Sequence, residues 1–251
     1  MELTTTSAIV TGGASGLGAA TATALAAKGA SVFALDLPQS IENAPAVEGV
    51  TYVPADVTNE EDVRRAVDLA SESLPLRTAV NCAGIGTAGR IVSKRGIHDL
   101  AAFARTINVN LVGTFTVMAI AAERIAQTEA DEHGQRGVVV NTASIAAFDG
   151  QIGQVAYSAS KGGVVGMTLP AARDLAQVGI RVNTIAPGIV DTPMLATVSD
   201  EIRAALAAGV PFPQRLCRPE EFGQLVTMIV EHDYLNGETI RMDGALRMAP
   251  R

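Results

Sequence analysis

The sequence contains no tryptophan, and aromatic residues make up only 4% of it. A core built mainly from large rings is therefore excluded, and the interior must come from the Ala, Val, Ile and Leu of a chain that is 48% hydrophobic. Such a composition is typical of strands buried on both faces and flanked by alanine-rich helices. A chain of 251 residues could form one large α/β domain or two small ones.

Basic residues and cysteines are also scarce. The 19 lysines and arginines face 26 acidic residues, which gives a net charge of −7. We expect no nucleic-acid partner, because such binding needs a basic surface, although a local basic patch for a small phosphorylated molecule stays compatible with this charge. Cys82 and Cys217 provide no disulfide framework, which favours a reducing compartment.

A leader and a long apolar run are lacking as well. Only six residues precede the first predicted strand at Ser7, and none of them is basic, so a signal peptide is not expected. No apolar run approaches the ~18–20 residues needed to span a bilayer. We therefore expect a soluble, cytoplasmic protein without membrane association.

Short apolar runs alternate along the chain with stretches of helical periodicity. The predicted strands are Ser7–Thr11, Ser31–Leu35, Val50–Pro54, Thr78–Asn81, Gly137–Thr142, Ile180–Ala186 and Glu238–Met242. The predicted helices are Gly16–Lys28, Asn59–Ser73, Ile97–Gln127, Val155–Gln177 and Pro219–Glu231, with charged Thr128–Arg136 as a solvated loop. This alternation predicts a parallel sheet of about seven strands with helices on both faces. No repeat or linker divides the chain, so residues 1–251 are predicted to form one domain.

The first strand leads into the glycine-rich loop TGGASGLG at Thr11–Gly18. Its spacing, GxxxGxG, differs from the GxGxxG fingerprint. The physical effect is the same, because glycines let the backbone approach a pyrophosphate at a helix N-terminus. A simple glycine-rich turn is the alternative, but the place between first strand and first helix favours a dinucleotide. Cofactor contacts are expected from Gly12, Ser15, Gly16, Leu17 and Gly18.

Asp36 ends the second predicted strand, 18 residues beyond Gly18. A carboxylate there can accept hydrogen bonds from ribose hydroxyls and would repel a 2′-phosphate. No Lys or Arg follows it closely. Asp36 therefore predicts NAD rather than NADP as cofactor, the alternative being an ordinary turn residue.

Further cofactor contacts are expected where the third and fourth strands end, because nucleotides bind at the carboxyl ends of such strands. Asp56 could accept from the adenine amino group, with Val57 packing on the ring. The small residues Ala83 and Gly84 leave room for the cofactor. Cys82 is predicted to be a small buried filler near the cofactor rather than a reactive thiol.

Thr142–Lys161 contains the residues expected to carry chemistry. Ser144 stands 13 residues before Tyr157, and Lys161 follows Tyr157 by four, which puts phenol and ammonium on one helix face. Tyrosine titrates near ~10, and a nearby cation is expected to lower that value and prepare a general base. The Ser144 hydroxyl is expected to bind the substrate oxygen. A surface pair at this spacing is the alternative.

Two loops are expected to complete the pocket. After the sixth strand, Pro187, Gly188, Val190 and Thr192 are predicted to contact the cofactor, with Thr192 at the nicotinamide carboxamide. Residues 192–216 are predicted to cover the substrate. The apolar members of that segment suit an acyl chain and a sterol equally: Met194, Leu195, Leu206 and Phe212.

Gln151 and Gln154 lie one short loop before Tyr157 and are candidate substrate contacts. A polar loop facing water is the alternative interpretation of both. His98, His133 and His232 lie outside every motif and lack ligand-like spacing, so no metal is expected.

In combination, TGGASGLG (11–18), NCAG (81–84), Ser144, YSASK (157–161) and PG (187–188) resemble the short-chain dehydrogenase/reductase family. The resemblance implies a single Rossmann-type domain, a nicotinamide cofactor and a Ser–Tyr–Lys site completed by an asparagine. Asn110 matches that asparagine, with Asn108 as the neighbouring alternative. The resemblance also implies a homotetramer, with helices near 100–127 and 157–177 as contact faces and the C-terminal strand segment as another contact.

Longer runs are similar to the subfamily of type II 3-hydroxyacyl-CoA dehydrogenases: VNTASIAAFDGQIGQVAYSASKGGVVGMTLP, IRVNTIAPG, VPFPQRL and LNGETIRMDGALRM. This implies NAD-dependent interconversion of 3-hydroxyacyl-CoA and 3-oxoacyl-CoA with Tyr157 as general base and acid. The chain departs from that pattern at Ile189–Thr192. A hydroxysteroid or broad secondary-alcohol dehydrogenase is the alternative enzyme, and Asp36 disfavours an NADPH-dependent 3-oxoacyl carrier-protein reductase. An NAD-binding scaffold is the alternative of another class, against which the Ser144, Tyr157 and Lys161 set argues.

Overall fold

A computed structural model describes residues 1–94, 96–195 and 198–250, with Met194 described by its backbone alone. The substrate-covering segment predicted at 192–216 therefore lies partly outside the described residues. Seven parallel strands form one sheet in the order β3-β2-β1-β4-β7-β8-β9, and β5 and β6 form a separate hairpin. The strands are β1 Ser7–Thr11, β2 Ser31–Asp36, β3 Val50–Pro54, β4 Leu76–Asn81, β5 Val92–Ser93, β6 Gly96–Ile97, β7 Gly137–Thr142, β8 Ile180–Pro187 and β9 Thr239–Met242.

The sheet and its helices form a single Rossmann-like domain, as the alternation of strands and helices predicted. The α-helices are α1 Gly16–Ala27, α2 Pro38–Ile41, α3 Glu60–Ala70, α4 Leu100–Ile107, α5 Thr114–Ile125, α6 Val155–Leu175, α7 Asp200–Ala208 and α8 Pro219–Glu231. Successive residues of a strand point to opposite faces. Ile9 of β1 accordingly joins the core on one face, whereas Ala8 and Val10 join the core on the other.

The strand order reverses direction around β1, which pairs with both β2 and β4. In open parallel sheets a crevice forms outside the carboxyl ends of the strands at such a switch point. The glycine loop follows β1 and the NCAG motif overlaps the end of β4, so both predicted cofactor motifs meet at this crevice.

The predicted helix Ile97–Gln127 differs from the structure at its start and in its middle. Ile97 belongs to the hairpin, and Asp99 caps the helix by accepting hydrogen bonds from the backbone N–H groups that follow it. A π-helical turn, Asn108–Gly113, separates α4 from α5. The extra residue in such a turn was not visible in the hydrophobic periodicity, because π-turns have no composition of their own and often mark functional sites.

The continuous helical stretch Leu100–Ile125 is long and apolar enough to cross a membrane by length and hydropathy alone. It nevertheless contains Arg105, Glu123 and Arg124. Its C-terminal part packs into the core through a face that includes Val117. Core helices satisfy the same criteria, and the absence of a membrane span, expected from the lack of a long uninterrupted apolar run, stays a prediction. The cytoplasmic location stays a prediction.

The loop Thr128–Arg136, predicted to be solvated, is partly buried. Gln135 is only 7% exposed and accepts a hydrogen bond from the buried guanidinium of Arg181. Its amide also donates to Asp131 and Asp233. The prediction was wrong for this residue because charge density in the sequence does not reveal a buried partner on another strand.

Candidate active site

Ser144, Tyr157 and Lys161 come together at the carboxyl end of β7. Ser144 follows that strand and caps the short 3₁₀ turn Ile145–Ala147 by accepting a hydrogen bond from Ala146 N–H at 3.1 Å. Tyr157 and Lys161 lie one turn apart on α6, and Lys161 Nζ is 5.9 Å from the centre of the tyrosine ring. Residues that are 13 and four positions apart in the sequence therefore form one cluster in the structure.

Lys161 is buried, with 4% of its surface exposed. Its ammonium group donates to the Thr142 carbonyl at 2.8 Å. Because burial disfavours the charged form, the pKa of Lys161 falls to about 8. The group is therefore a cation at neutral pH but loses its proton under mildly alkaline conditions.

The pKa of Tyr157 is raised above its usual value, because removal from water penalises the phenolate. A hydrogen bond with the Ser144 side chain opposes this rise. The sequence predicted the reverse direction from the neighbouring ammonium. That prediction was wrong for the protein without a bound cofactor. The effect of desolvation on the pKa of Tyr157 outweighs the effect of the Lys161 ammonium, which lies 5.9 Å from the ring centre.

Asn110 lies within the π-helical turn and is fully buried. Its side chain clamps Ile85, accepting from the backbone N–H at 2.8 Å and donating to the carbonyl at 2.9 Å. It also donates to Ser160 Oγ at 3.1 Å, and Ser160 in turn donates to the Tyr157 carbonyl. Asn108 is exposed. Of the two asparagines, Asn110 is therefore the one linked to the cluster, through Ser160.

Gly84 keeps a space open beside the cluster. A Cβ atom at this position would lie 3.1 Å from Asn110 Oδ1 and 3.6 Å from Lys161 Nζ. Any larger side chain would fill the space in front of the ammonium. The small residues predicted at positions 83 and 84 thus leave room directly at Lys161.

The glycine loop packs tightly against the end of β4. Gly12 has φ +64°, and a Cβ there would come within 2.9 Å of Ala83 N. A Cβ on Gly18 would lie 2.0 Å from the Gly12 carbonyl oxygen. Thr11 Oγ1 ties the two strands together by accepting from the N–H groups of both Cys82 and Ala83 at 3.1 Å. This role of Thr11 was not predicted from the sequence, although Thr11 is the first residue of the loop motif.

The remaining loop residues lie at the start of α1. Ser15 is exposed, and its hydroxyl makes no capping hydrogen bond to the helix. Gly16 has φ +52°, and a Cβ atom added to it would lie 3.5 Å from the Thr192 side chain. Leu17 is partly buried against the core. The loop and Thr192 therefore form opposite sides of one narrow opening.

Asp36 ends β2 beside this opening. Its Oδ2 atom accepts from Ala14 N–H at 3.0 Å, and Oδ1 accepts from Leu37 N–H at 2.8 Å. These two bonds fix the carboxylate against the glycine loop. Among the described residues, no lysine or arginine forms an ion pair with Asp36.

Asp56 and Val57 follow β3 at the same edge of the sheet. The Asp56 carboxylate accepts from the backbone N–H of Thr58 at 2.9 Å and from its hydroxyl at 2.7 Å. Val57 is buried and packs against Gly113. The predicted adenine contacts therefore have structural roles in this turn, and their binding roles stay predictions.

Cys82 contacts Thr142 and lies close to Lys161. Burial raises the pKa of its thiol to about 11, although hydrogen bonds from Thr142 and Thr21 and the nearby charge oppose this. A thiol with such a pKa is protonated at neutral pH and is a poor nucleophile. This agrees with its predicted role as a small filler.

On the other side of Tyr157, Gln151 and Gln154 interact with each other. Gln154 Oε1 accepts from Gln151 N–H at 2.9 Å, and Gln151 Nε2 donates to the Ala249 carbonyl at 3.0 Å. These side chains brace the loop before α6. The substrate contacts predicted for them stay predictions.

The loop after β8 begins at buried Pro187. Gly188 approaches Asp243 so closely that an added Cβ would lie 2.9 Å from its Cα. Val190 is buried and forms a parallel bridge with Cys217. No group of three or more His, Cys, Asp and Glu residues that could hold a metal occurs in the described ranges.

Comparison with known proteins agrees with this arrangement. A family model described as short chain dehydrogenase matches residues 6–203. The 3-hydroxyacyl-CoA dehydrogenase type-2 of Bos taurus is 54% identical over 249 residues, covering 97% of this chain and 95% of the relative. The protein of that name from Drosophila melanogaster is 55% identical over 248 residues, covering 96% of this chain and 97% of the relative.

A solved structure is similar over nearly the whole fold. The crystal structure of 3-hydroxyacyl-CoA dehydrogenase type-2 from Mycobacterium avium has a TM-score of 0.92 and 44% sequence identity, and the match covers 98% of both chains. With the family model spanning most of the chain and relatives above half identity, this protein is an oxidoreductase that belongs to the short-chain dehydrogenase family.

Proposed function

We propose that this enzyme uses NAD to interconvert 3-hydroxyacyl-CoA and 3-oxoacyl-CoA. The observation that carries the proposal is the cluster of Ser144, Tyr157 and Lys161 at the crevice that also receives the glycine loop. Support for the acyl-CoA substrate comes from the relatives in cow and fruit fly, whose names state this activity.

The crevice fits a dinucleotide with a free ribose 2′-hydroxyl. Gly12 and Gly18 allow the loop to close on itself, which aims the N-terminus of α1 at an approaching phosphate. The uncapped hydroxyl of Ser15 is available at the same place. Asp36, held by Ala14 N–H, presents negative charge where a 2′-phosphate would be repelled.

At the other end of the crevice, Gly84 leaves space in front of Lys161. The ammonium uses one donor for Thr142 and so keeps others for the hydroxyls of a nicotinamide ribose. When bound, NAD supplies the hydride acceptor and NADH the hydride donor. Thr192, beside Gly16, is the candidate partner for the carboxamide.

In ketone reduction, Tyr157 donates its phenolic proton to the substrate carbonyl oxygen as negative charge develops there. Its raised pKa keeps the proton on the phenol at neutral pH, so the residue is poised as an acid. Ser144 donates to the same oxygen and stabilises the developing charge. In alcohol oxidation Tyr157 takes the hydroxyl proton, and the cation of Lys161 stabilises the resulting phenolate.

Asn110 supports proton exchange in this proposal by shaping the inner end of the site. Its side chain is fully engaged with Ile85 and Ser160, so it fixes the π-helical turn beside Lys161. By resemblance to the family, Asn110 would hold a water that links the ammonium of Lys161 to solvent.

The test is NADH oxidation with acetoacetyl-CoA, run in parallel with NADPH and with a 17-ketosteroid. We expect turnover of the acyl-CoA with NADH, and Tyr157→Phe should abolish it while NADH still binds. Turnover of the steroid alone would favour the alternative enzyme. Binding of NADH without turnover of any carbonyl substrate would favour an NAD-binding scaffold.

We also propose a homotetramer. Apolar side chains remain exposed on the helices predicted as contact faces, including Val112 within the π-helical turn, Phe115 just after it and Leu169 on α6. Phe115 is 56% exposed in the single chain. Exposed apolar patches of this kind mark interaction surfaces. Light scattering after gel filtration measures the assembly directly.

A further inference from the structure

Arg241 lies on the edge strand β9 and joins several groups outside the catalytic cluster. Its Nη2 atom is 2.6 Å from Asp149 Oδ2, and its Nε atom is 2.7 Å from Asp243 Oδ2. Nη2 also donates to the Leu246 carbonyl at 3.0 Å. The guanidinium carbon lies 5.1 Å from the centre of the Phe148 ring. One side chain therefore ties two acidic groups, a carbonyl and an aromatic face.

Two of these partners belong to the loop that leads to the catalytic helix. Phe148 and Asp149 follow the 3₁₀ turn capped by Ser144, and α6 with Tyr157 begins six residues after Asp149. We call residues 148–154 the substrate-side loop. Its position sets how a substrate can approach Tyr157, because its two ends are attached to the proposed catalytic residues.

The C-terminal tail, residues 243–250, holds the same loop from the other side. Gln151 Nε2 donates to Ala249, and Ile152 N–H donates to the Pro250 carbonyl at 3.0 Å. These bonds place the tail along the substrate-side loop. Arg241 adds a charged anchor to these ties at the point where the tail leaves β9.

The tail also reaches the segment predicted to cover the substrate. Leu246 packs with Ile145 and Val210 in a small buried cluster. Phe212 N–H donates to the Gly244 carbonyl at 3.2 Å. The tail thus joins both walls of the substrate opening, one next to Ser144 and the other in the covering segment.

The chemistry of these contacts favours arginine specifically. Asp243 is almost completely buried, and Arg241 and Asp149 are each about one-fifth exposed in their side chains. A planar guanidinium can bond two carboxylates in different directions while stacking on a ring. An ammonium group could not make all of these contacts at once. The hydrogen bond from Arg241 also holds the pKa of Asp149 below its usual value.

We propose that Arg241 is a positioning residue that fixes the substrate-side loop through Asp149 and so sets the fit of the acyl substrate. This inference rests on the dehydrogenase activity proposed above. Arg241 lies on the edge strand β9, and four strands separate β9 from β2, which ends in Asp36. Its loss should therefore weaken substrate binding and leave the nucleotide site intact.

The experiment compares Arg241→Gln, Arg241→Lys and Asp149→Asn in the full-length enzyme. Steady-state kinetics give KM and kcat for the carbonyl substrate, and fluorescence titration gives the Kd of NADH. Arg64→Gln is the matched control, because Arg64 also bridges two carboxylates, Glu60 and Glu123, but on the outer surface of α3 and α5.

We expect Arg241→Gln and Asp149→Asn each to raise the substrate KM about tenfold, with kcat reduced less than threefold and the NADH Kd changed less than twofold. The KM of Arg241→Lys should lie between the KM of the wild type and that of Arg241→Gln. The double variant of Arg241→Gln with Asp149→Asn should be no worse than Arg241→Gln alone, because both act through one contact. Arg64→Gln should change none of these values.

Unchanged KM in the two single variants would overturn the proposal, and so would a parallel rise in KM and NADH Kd, which indicates general unfolding. If Arg241→Gln does not fold, Asp149→Asn carries the same test, because it leaves the arginine paired with Asp243. Kinetics use acetoacetyl-CoA or, if the wild-type enzyme rejects it, the secondary alcohol that it oxidises. A wrong substrate assignment is thereby distinguished from a wrong role for Arg241.

Discussion

Replacing Lys161 by Met should make the protein inactive but more stable at neutral pH. Burial lowers the pKa of Lys161 from 10.5 to about 8. One pH unit corresponds to ~1.36 kcal/mol, so keeping this buried group charged costs roughly 3 kcal/mol of folding free energy. Methionine has a similar length and no charge, and it removes that cost.

Part of this gain is offset by a lost hydrogen bond. The ammonium donates to the Thr142 carbonyl, and a buried carbonyl left without a partner costs about 1–2 kcal/mol. We therefore expect Lys161→Met to raise the free energy of unfolding by about 1–2 kcal/mol at pH 7. The wild-type protein is therefore less stable than it could be, because it keeps a buried charge that its function needs.

The pH dependence identifies the cause. The pKa of Lys161 is lower in the folded than in the unfolded chain, so the cost is fully present below pH 8. It declines between about pH 8 and 10.5, and it is absent above that window. The advantage of Lys161→Met over the wild type should therefore shrink, and then reverse, as pH rises through this window.

Urea unfolding of both proteins without NAD, at pH 7 and pH 10 and at one protein concentration, measures this difference. A fixed concentration matters because subunit association alters apparent stability. A difference between the two proteins that does not change with pH would refute the reasoning, since it would mean that Lys161 carries no desolvation cost.

Three further predictions concern the crevice and the assembly. Asp36→Ala should raise the KM for NADH at least tenfold and improve the use of NADPH, because it removes the ribose acceptor and the charge that repels a 2′-phosphate. An unchanged ratio of the KM for NADH to the KM for NADPH would contradict this. Gly18→Ala should abolish NADH binding or folding, because the added Cβ would lie 2.0 Å from the Gly12 carbonyl oxygen. Gly209→Ala is the control for the same thermal-shift and titration assays, and it should be tolerated because its Cβ would lie 3.4 Å from its nearest neighbour. If the protein forms the proposed tetramer, Phe115→Glu should lower its mass in light scattering, and an unchanged mass would contradict an interface at Phe115.

The pH profile of the reaction gives a separate prediction. Because burial keeps the proton on Tyr157, ketone reduction should be favoured at neutral and lower pH and should decline as the phenol ionises. Alcohol oxidation should rise with pH over the same range. Opposite slopes in kcat/KM for the two directions are the expected measurement, and equal slopes would remove Tyr157 as the proton carrier.

The sequence predicted the strands well because each is a short apolar run bounded by glycine, proline or an acidic residue. β1, β3 and β7 have the predicted bounds. Boundaries moved where a side chain capped a helix. Asn59 was predicted as helical, but it lies outside α3 and accepts from the backbone N–H groups of Glu61 and Asp62.

Features that depend on distant contacts could not be predicted. The hairpin of β5 and β6 and the short helix α2 are too brief to produce a period. The direction in which the pKa of Tyr157 shifts depends on burial, and the spacing of residues in the sequence does not specify burial. Phe212, whose apolar ring was predicted to suit the substrate, is 81% exposed in the single chain, and exposure of this kind is not encoded in the residue type. The ion pair between Arg241 and Asp149 joins residues 92 positions apart in the chain.

The π-helical turn Asn108–Gly113 separates two helices that face different surroundings. Each residue of an α-helix advances by about 100° around the axis, so deletion of one residue here would rotate α4 and the attached hairpin by that angle relative to the core. The segment that leads into the hairpin is tied to the substrate-side loop by the bond from Gly89 N–H, three residues before β5, to the Gly153 carbonyl at 2.8 Å. The shape of the substrate entrance is thus sensitive to chain length at this turn, and insertions or deletions there could remodel it while α5 and the sheet stay in register.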